Sequence, residues 1–236
     1  MQLESSNGTI GWDGVGALRL RYDAPVEGLG RLASSLRTRL GERVVPVEAL
    51  KAVELSPGPD APLLQLVLRD QADPLLAVSG GYFDELVTPY TFPVTDRDLA
   101  ERLAIDLRSK LARRDVPTTA ARWLVAPPVA PDRLEGRDAI LSVESGQLVF
   151  AYKRTAGRKK RANGDPWPVP LADIIDVEWM PNQRRLGIGG YLRISTARTP
   201  PEPPKPRHDP ATMLTERRTD VDALFFAARL LTRIRP

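Results

Sequence analysis

The chain carries few side chains suited to chemistry. It has one histidine, His208, and no cysteine in its 236 residues. Without cysteine there are no disulfides, thiolate metal ligands or cysteine nucleophiles. One imidazole without cysteine cannot build a zinc site of the usual kind. Serine and aspartate are plentiful enough for a Ser-His-Asp arrangement, but no serine stands in a G-x-S-x-G context. His208 precedes Asp209-Pro210, where it is expected to hold its loop by a hydrogen bond to a backbone carbonyl. Gly187-Ile188-Gly189-Gly190 invites a phosphate-loop reading, yet no Lys-Ser/Thr follows and a strand comes next. Asp173, Asp176 and Glu178 are the nearest thing to a carboxylate pair. Strand alternation puts Asp176 and Glu178 on one face, expected to be solvated. These residues point away from an enzyme, and no cofactor or metal is expected.

The sharpest local feature is Lys153-Arg154-Thr155-Ala156-Gly157-Arg158-Lys159-Lys160-Arg161, six cations and no acid. Lys153, Arg154, Arg158, Lys159, Lys160 and Arg161 form the candidate anion-binding set. Near an anionic bilayer each basic residue gains about 1 kcal/mol, screened by salt. A solvated loop that keeps an edge from aggregating is the competing reading. Trp167 is the one aromatic near enough to anchor such a contact. Nucleic acid ranks third, since no aromatic residue interleaves with the cluster to stack bases.

These residues are positioned by a repeat. Ile10 to Tyr22 aligns with Ile140 to Tyr152, so that Gly16 meets Gly146, Leu18 meets Leu148, Leu20 meets Phe150 and Tyr22 meets Tyr152. Both read as hairpins with glycine in the turn. Val45 to Leu55 aligns with Val169 to Trp179: a strand, a short turn and a second alternating strand. Leu64 to Leu68 aligns with Tyr191 to Ser195. Each copy then ends in an amphipathic helix. In the first, Leu99, Leu103, Leu107 and Leu111 recur behind Asp96 and Asp98. In the second, Val221, Leu224, Phe225, Ala228, Leu231 and Ile234 follow Thr219-Asp220. Each helix should cover one open side of a sheet.

The boundaries read as a first module over 1–115, a connector over 116–137 and a second module over 138–236. The connector holds Pro117, Pro127, Pro128 and Pro131, and its Trp123-Leu124-Val125 run should pack on a domain. Pro200 to Pro206 reads as a stiff polyproline loop inside the second copy. From Arg137 onward there are 18 Lys and Arg against 11 Asp and Glu, and before it 16 against 19. The second half is therefore the one suited to anionic partners. No apolar run approaches the roughly 20 residues that span a bilayer. Met1 to Gly8 lacks the basic start and apolar stretch of a signal peptide. A cytoplasmic protein, peripheral at the inner membrane face under the lipid reading, is expected.

Gly146-Gln147-Leu148-Val149-Phe150, the Val169 to Trp179 segment and Gly190-Tyr191-Leu192-Arg193-Ile194 together resemble bacterial pleckstrin-homology and GRAM-like domains. With Pro204-Lys205-Pro206-Arg207-His208-Asp209-Pro210 added, the chain resembles an actinobacterial set of tandem modules, domain of unknown function 4429. The resemblance is stronger in the second copy. In the first, Glu27 to Glu42 replaces the basic loop with a segment read as helical. The resemblance implies a mostly β fold: two tandem pleckstrin-homology-like sandwich or barrel modules, each closed by a C-terminal helix. In members that bind phosphoinositides, the loop after the first hairpin is where head groups sit. Fold does not give function. The expected function is a non-enzymatic binding or adaptor protein. A protein partner is ranked first, docking at sheet edges or the groove beside a closing helix. An anionic membrane surface is second and nucleic acid third.

Overall fold

The structure is a computed structural model describing residues 1–23, 31–83, 88–114, 116–182, 189–200 and 202–235. Glu27 to Gly30, Gly187, Ile188 and Pro201 lie outside the described residues. The chain forms two compact units, Met1–Pro74 with Phe83–Ala126, and Leu75–Tyr82 with Pro127–Pro236. The described residues are mostly β: they form four small antiparallel sheets, none closed into a barrel.

In unit 1, β1 (Gln2–Ser5), β2 (Gly8–Trp12), β3 (Ala17–Tyr22) and β4 (Glu42–Pro46) form a four-stranded meander. Helix α1 (Arg31–Leu40) lies between β3 and β4, where a helical segment was expected. A turn over Val47–Ala49 leads to β5 (Leu50–Ser56), β6 (Leu63–Leu68) and β7 (Thr91–Pro93). In chain order the short helix α2 (Pro74–Ser79) falls between β6 and β7, with its residues from Leu75 onward in unit 2, and α3 (Arg97–Ala112) closes unit 1. The Asp96 carboxylate accepts the Leu99 N–H and caps α3. Leu103 and Leu107 turn inward against β5, while Ile105 stays 64% exposed. The Trp12 indole donates to Asp106 at 2.6 Å, tying the first sheet to the helix.

Unit 2 repeats this order with β8 (Arg133–Glu135), β9 (Ala139–Glu144), β10 (Gln147–Tyr152) and β11 (Trp167–Pro170) in one sheet. A turn over Leu171–Asp173 leads to β12 (Ile174–Met180), β13 (Tyr191–Thr196) and β14 (Thr212–Leu214) in the other. Helix α4 (Asp220–Ile234) packs on β12 and β13, burying Val221, Leu224, Phe225 and Leu231. The Trp179 indole donates to the Asp220 carbonyl at 3.0 Å. Even the irregularities repeat: the register slips between Leu50 and Ala52 and again between Ile174 and Asp176.

Two details of the repeat alignment change. Trp12 pairs with Leu18 and Ile10 with Leu20, whereas Val143 pairs with Leu148 and Leu141 with Phe150. Ile10 is thus equivalent to Leu141, not Ile140. The first hairpin has one extra loop residue, and a one-residue slip would put Ile140 in the core in place of buried Leu141. Likewise Val53 faces Leu66 and Val177 faces Ile194, so Leu66 corresponds to Ile194, one place beyond the sequence match. The turns differ accordingly. Ser145 and Gly146 both take positive φ, 47° and 75°, in a two-residue turn between Glu144 and Gln147. In the longer first loop the Asp13 carboxylate accepts the N–H groups of Val15, Gly16 and Ala17.

Within 116–137, Ala120 donates to Asp70, and Leu124 and Val125 donate to Ala72. The Arg69 guanidinium holds the carbonyls of Pro117, Thr119 and Glu48. Among the described residues no helix is long and apolar enough to cross a membrane.

Candidate functional site

The six cations of the β10–β11 connection have different surroundings. Chain from Arg158 to Asn163 coils into a tight helical turn, which swings Lys160 inward. Lys160 is fully buried; its ammonium pairs with Asp138 and donates to the Thr212 carbonyl at 2.6 Å. Burial pushes this ammonium below the ordinary lysine range, and Asp138 opposes the shift. Lys153 pairs with Glu135 at 2.5 Å and donates to the Gly136 carbonyl. Arg161 reaches Asp165 at 3.4 Å and the Lys153 carbonyl at 2.7 Å. Arg154, Arg158 and Lys159 are exposed. Trp167 is half-buried against Phe150, their rings 5.3 Å apart, so it is part of the packing rather than a projecting anchor.

A second set of cations meets this loop. The segment from Pro204 to Thr212 is anchored by Arg193, which sequence reading did not single out. Its Nε donates to Asp209 at 2.9 Å and to Thr212 at 3.1 Å. Its Nη1 reaches Glu178 at 3.2 Å and its Nη2 the Pro204 carbonyl at 3.2 Å. The Tyr152 hydroxyl donates to the Pro210 carbonyl at 2.7 Å. Held this way, Lys205 and Arg207 are exposed, and together with Lys159 of the basic loop they act on the His208 imidazole. The loop is pinned by these neighbours, not by the imidazole as expected. The His208 Nε2 instead accepts from Arg207 Nε at 3.1 Å. Partial burial, then Arg207, Lys159, Lys205 and Lys160, hold this imidazole below the ordinary histidine range. No sequence signal could have found this meeting of two loops, because it depends on the long-range contacts of Lys160 and Arg193.

Of the three candidate carboxylates, Asp176 and Glu178 have structural partners. Asp173 is exposed at the turn before β12. Asp176 faces Arg235 at 3.7 Å. Glu178 accepts the Tyr191 hydroxyl at 2.5 Å, and burial with this carboxylate pushes the phenol up to about 12. A Cβ on Gly190 would lie 2.3 Å from the Thr215 hydroxyl and 2.8 Å from Asp220, so this glycine permits a close approach of chain segments. Among the described residues no three His, Asp or Glu side chains are grouped to hold a metal ion.

Unit 1 offers a different feature. A groove of about 490 Å³ runs between the β5–β6 loop, Leu55 to Pro62, and the outer face of α3 at Arg97, Glu101, Ile105 and Arg108.

No protein of curated function matches the sequence. The model of one family, Domain of unknown function (DUF4429), matches residues 27–108 and 141–231, once in each repeat, and the chain belongs to that family.

Proposed function

We propose that the protein is a non-enzymatic adaptor whose second unit meets an anionic surface through exposed cations. The observation that carries this reading is the grouping of Lys159 with Lys205 and Arg207 around His208, with Arg154 and Arg158 exposed on the same loop as Lys159. Two acids of these segments are already engaged, Asp138 by Lys160 and Asp209 by Arg193. An anionic membrane leaflet supplies the extended charge such a face attracts, and the contact would be reversible. The pleckstrin-homology-like reading of the two modules agrees with this placement.

The test is co-sedimentation of the whole chain with phosphatidylserine-containing and with pure phosphatidylcholine vesicles. Binding to the anionic vesicles alone is expected, weakening as salt rises. A variant with Arg154→Glu, Arg158→Glu and Lys159→Glu should lose it, by at least tenfold at about 1 kcal/mol per basic residue. Lys160 is left unchanged because it is internal. Equal binding by variant and wild type rejects the reading.

A second reading is docking of a protein segment in the unit 1 groove, favoured by Ile105 standing 64% exposed beside Pro57, Pro59 and Pro62. Such a contact would persist at high salt and fail on Ile105→Asp.

A further inference from the structure

We propose that Lys159, Lys205, Arg207 and His208 form one composite site for a phosphate group, built from two loops far apart in the sequence. This rests on the cationic-face reading above and narrows it to a ligand chemistry and a place. Between Lys153 and Gly164, and again between Pro203 and His208, neither loop carries an acid. The two loops are locked to one another from beneath. Lys160 Nζ crosses from the basic turn to the Thr212 carbonyl at 2.6 Å, and Arg193 fixes Pro204 and Asp209 on the other side. The cations are thus brought together before any ligand arrives, which lowers the cost of binding.

The arrangement fits an acceptor-rich ligand. The Arg207 guanidinium has only the His208 Nε2 lone pair as its hydrogen-bond acceptor among the described residues. A phosphate oxygen is a better acceptor for a guanidinium than a neutral imidazole, because both partners are then charged. On binding, Arg207 turns its donor to phosphate and frees Nε2 to take a proton. The protonated imidazole then becomes a further donor. The charged groups facing His208 are Arg207, Lys159, Lys205 and Lys160, while the nearby carboxylates of Asp138 and Asp209 are engaged by Lys160 and Arg193. Burial and then these cations hold the imidazole below the ordinary histidine range; phosphate offsets the repulsive part, so binding and protonation favour each other.

His208 is the only histidine, so its ring signals in an NMR spectrum of the whole chain report on this site alone. Inorganic phosphate, titrated at constant ionic strength against chloride, should shift those signals saturably. It should also raise the His208 titration midpoint by about one unit, equivalent to about a tenfold change in phosphate affinity between the two protonation states. Lys205→Gln with Arg207→Gln should abolish the response while the remaining spectrum stays that of the folded chain. Identical His208 titrations in phosphate and chloride overturn the proposal, as does an undiminished response in the double variant. Vesicles containing phosphatidic acid separate the sources. A shift with free phosphate but not vesicles keeps the site and assigns it a soluble phosphate ligand, at the expense of the membrane reading. Vesicle binding with a silent His208 keeps the cationic face and removes the composite site.

Discussion

The same connection is built differently in the two units. In unit 1, β3 and β4 are joined through helix α1, which sends Arg37 inward. In unit 2, β10 and β11 are joined through the turn at Arg158–Asn163, which sends Lys160 inward. Both plug the unit with a cation, but among the described residues only Lys160 meets a carboxylate. Arg37 lies 5.8 Å from the Tyr22 ring centre and 5.9 Å from that of Phe92, and donates through Nη2 to the carbonyls of Thr88 and Thr91. Its Nε and Nη1 are buried without a hydrogen-bond partner among the described residues, as is the Tyr22 hydroxyl. The equivalent Tyr152 does have one, the Pro210 carbonyl. A basic residue in a loop is thus no guide to a basic surface. The fold can consume the charge, and only what is left outside contributes to the exposed cationic surface.

Five variants would break or sharpen that comparison. The largest effect is expected for Lys160→Met, which leaves Asp138 buried with, among the described residues, only the Leu214 N–H as donor. Removing one member of a buried pair costs about 3–5 kcal/mol, read as a lower denaturant midpoint. Next, Gly146→Ala should cost about 1–2 kcal/mol because the residue sits at φ 75°. Gly16, its partner in the repeat alignment, has open space around it and no such φ. Gly16→Ala should be silent, so equal losses at the two glycines would contradict the different turn geometries. Third, Arg37→Met should change stability by no more than about 1 kcal/mol in either direction, since no described carboxylate loses its partner. A loss as large as that at Lys160 would mean the two plugs are equivalent. The smallest effect concerns pH. The Tyr191 phenol is held at about 12 in the fold against about 10 in an unfolded chain. The folded state therefore keeps a proton the unfolded state releases, and stability should fall as pH rises from about 10 to about 12. Denaturant midpoints across that range should show a shallower fall in Tyr191→Phe.

Much of the architecture was legible because it follows local periodicity. Alternation at Leu18, Leu20 and Tyr22, and at Leu148, Phe150 and Tyr152, marks strands that bury one face. The Leu103–Leu107 spacing and the Asp96 cap mark α3. Strands β1, β7, β8 and β14 were not read, since three- or four-residue segments carry too little pattern and are specified by the neighbours they pair with. One-residue offsets in the repeat also escaped, because apolar residues stand at adjacent positions such as Ile140 and Leu141.

By itself the sequence determined a duplicated, mostly β chain with closing helices, no cysteine chemistry and a cationic second half. These depend on residue type and near-neighbour spacing alone. Tertiary structure decided which of the six loop cations face inward, that Arg193 binds the Pro204 to Thr212 segment, and that Lys205, Arg207 and His208 join Lys159. Each of those outcomes depends on where a buried charge finds its partner. Burial makes an unpaired charge costly, and its partner can lie anywhere along the chain.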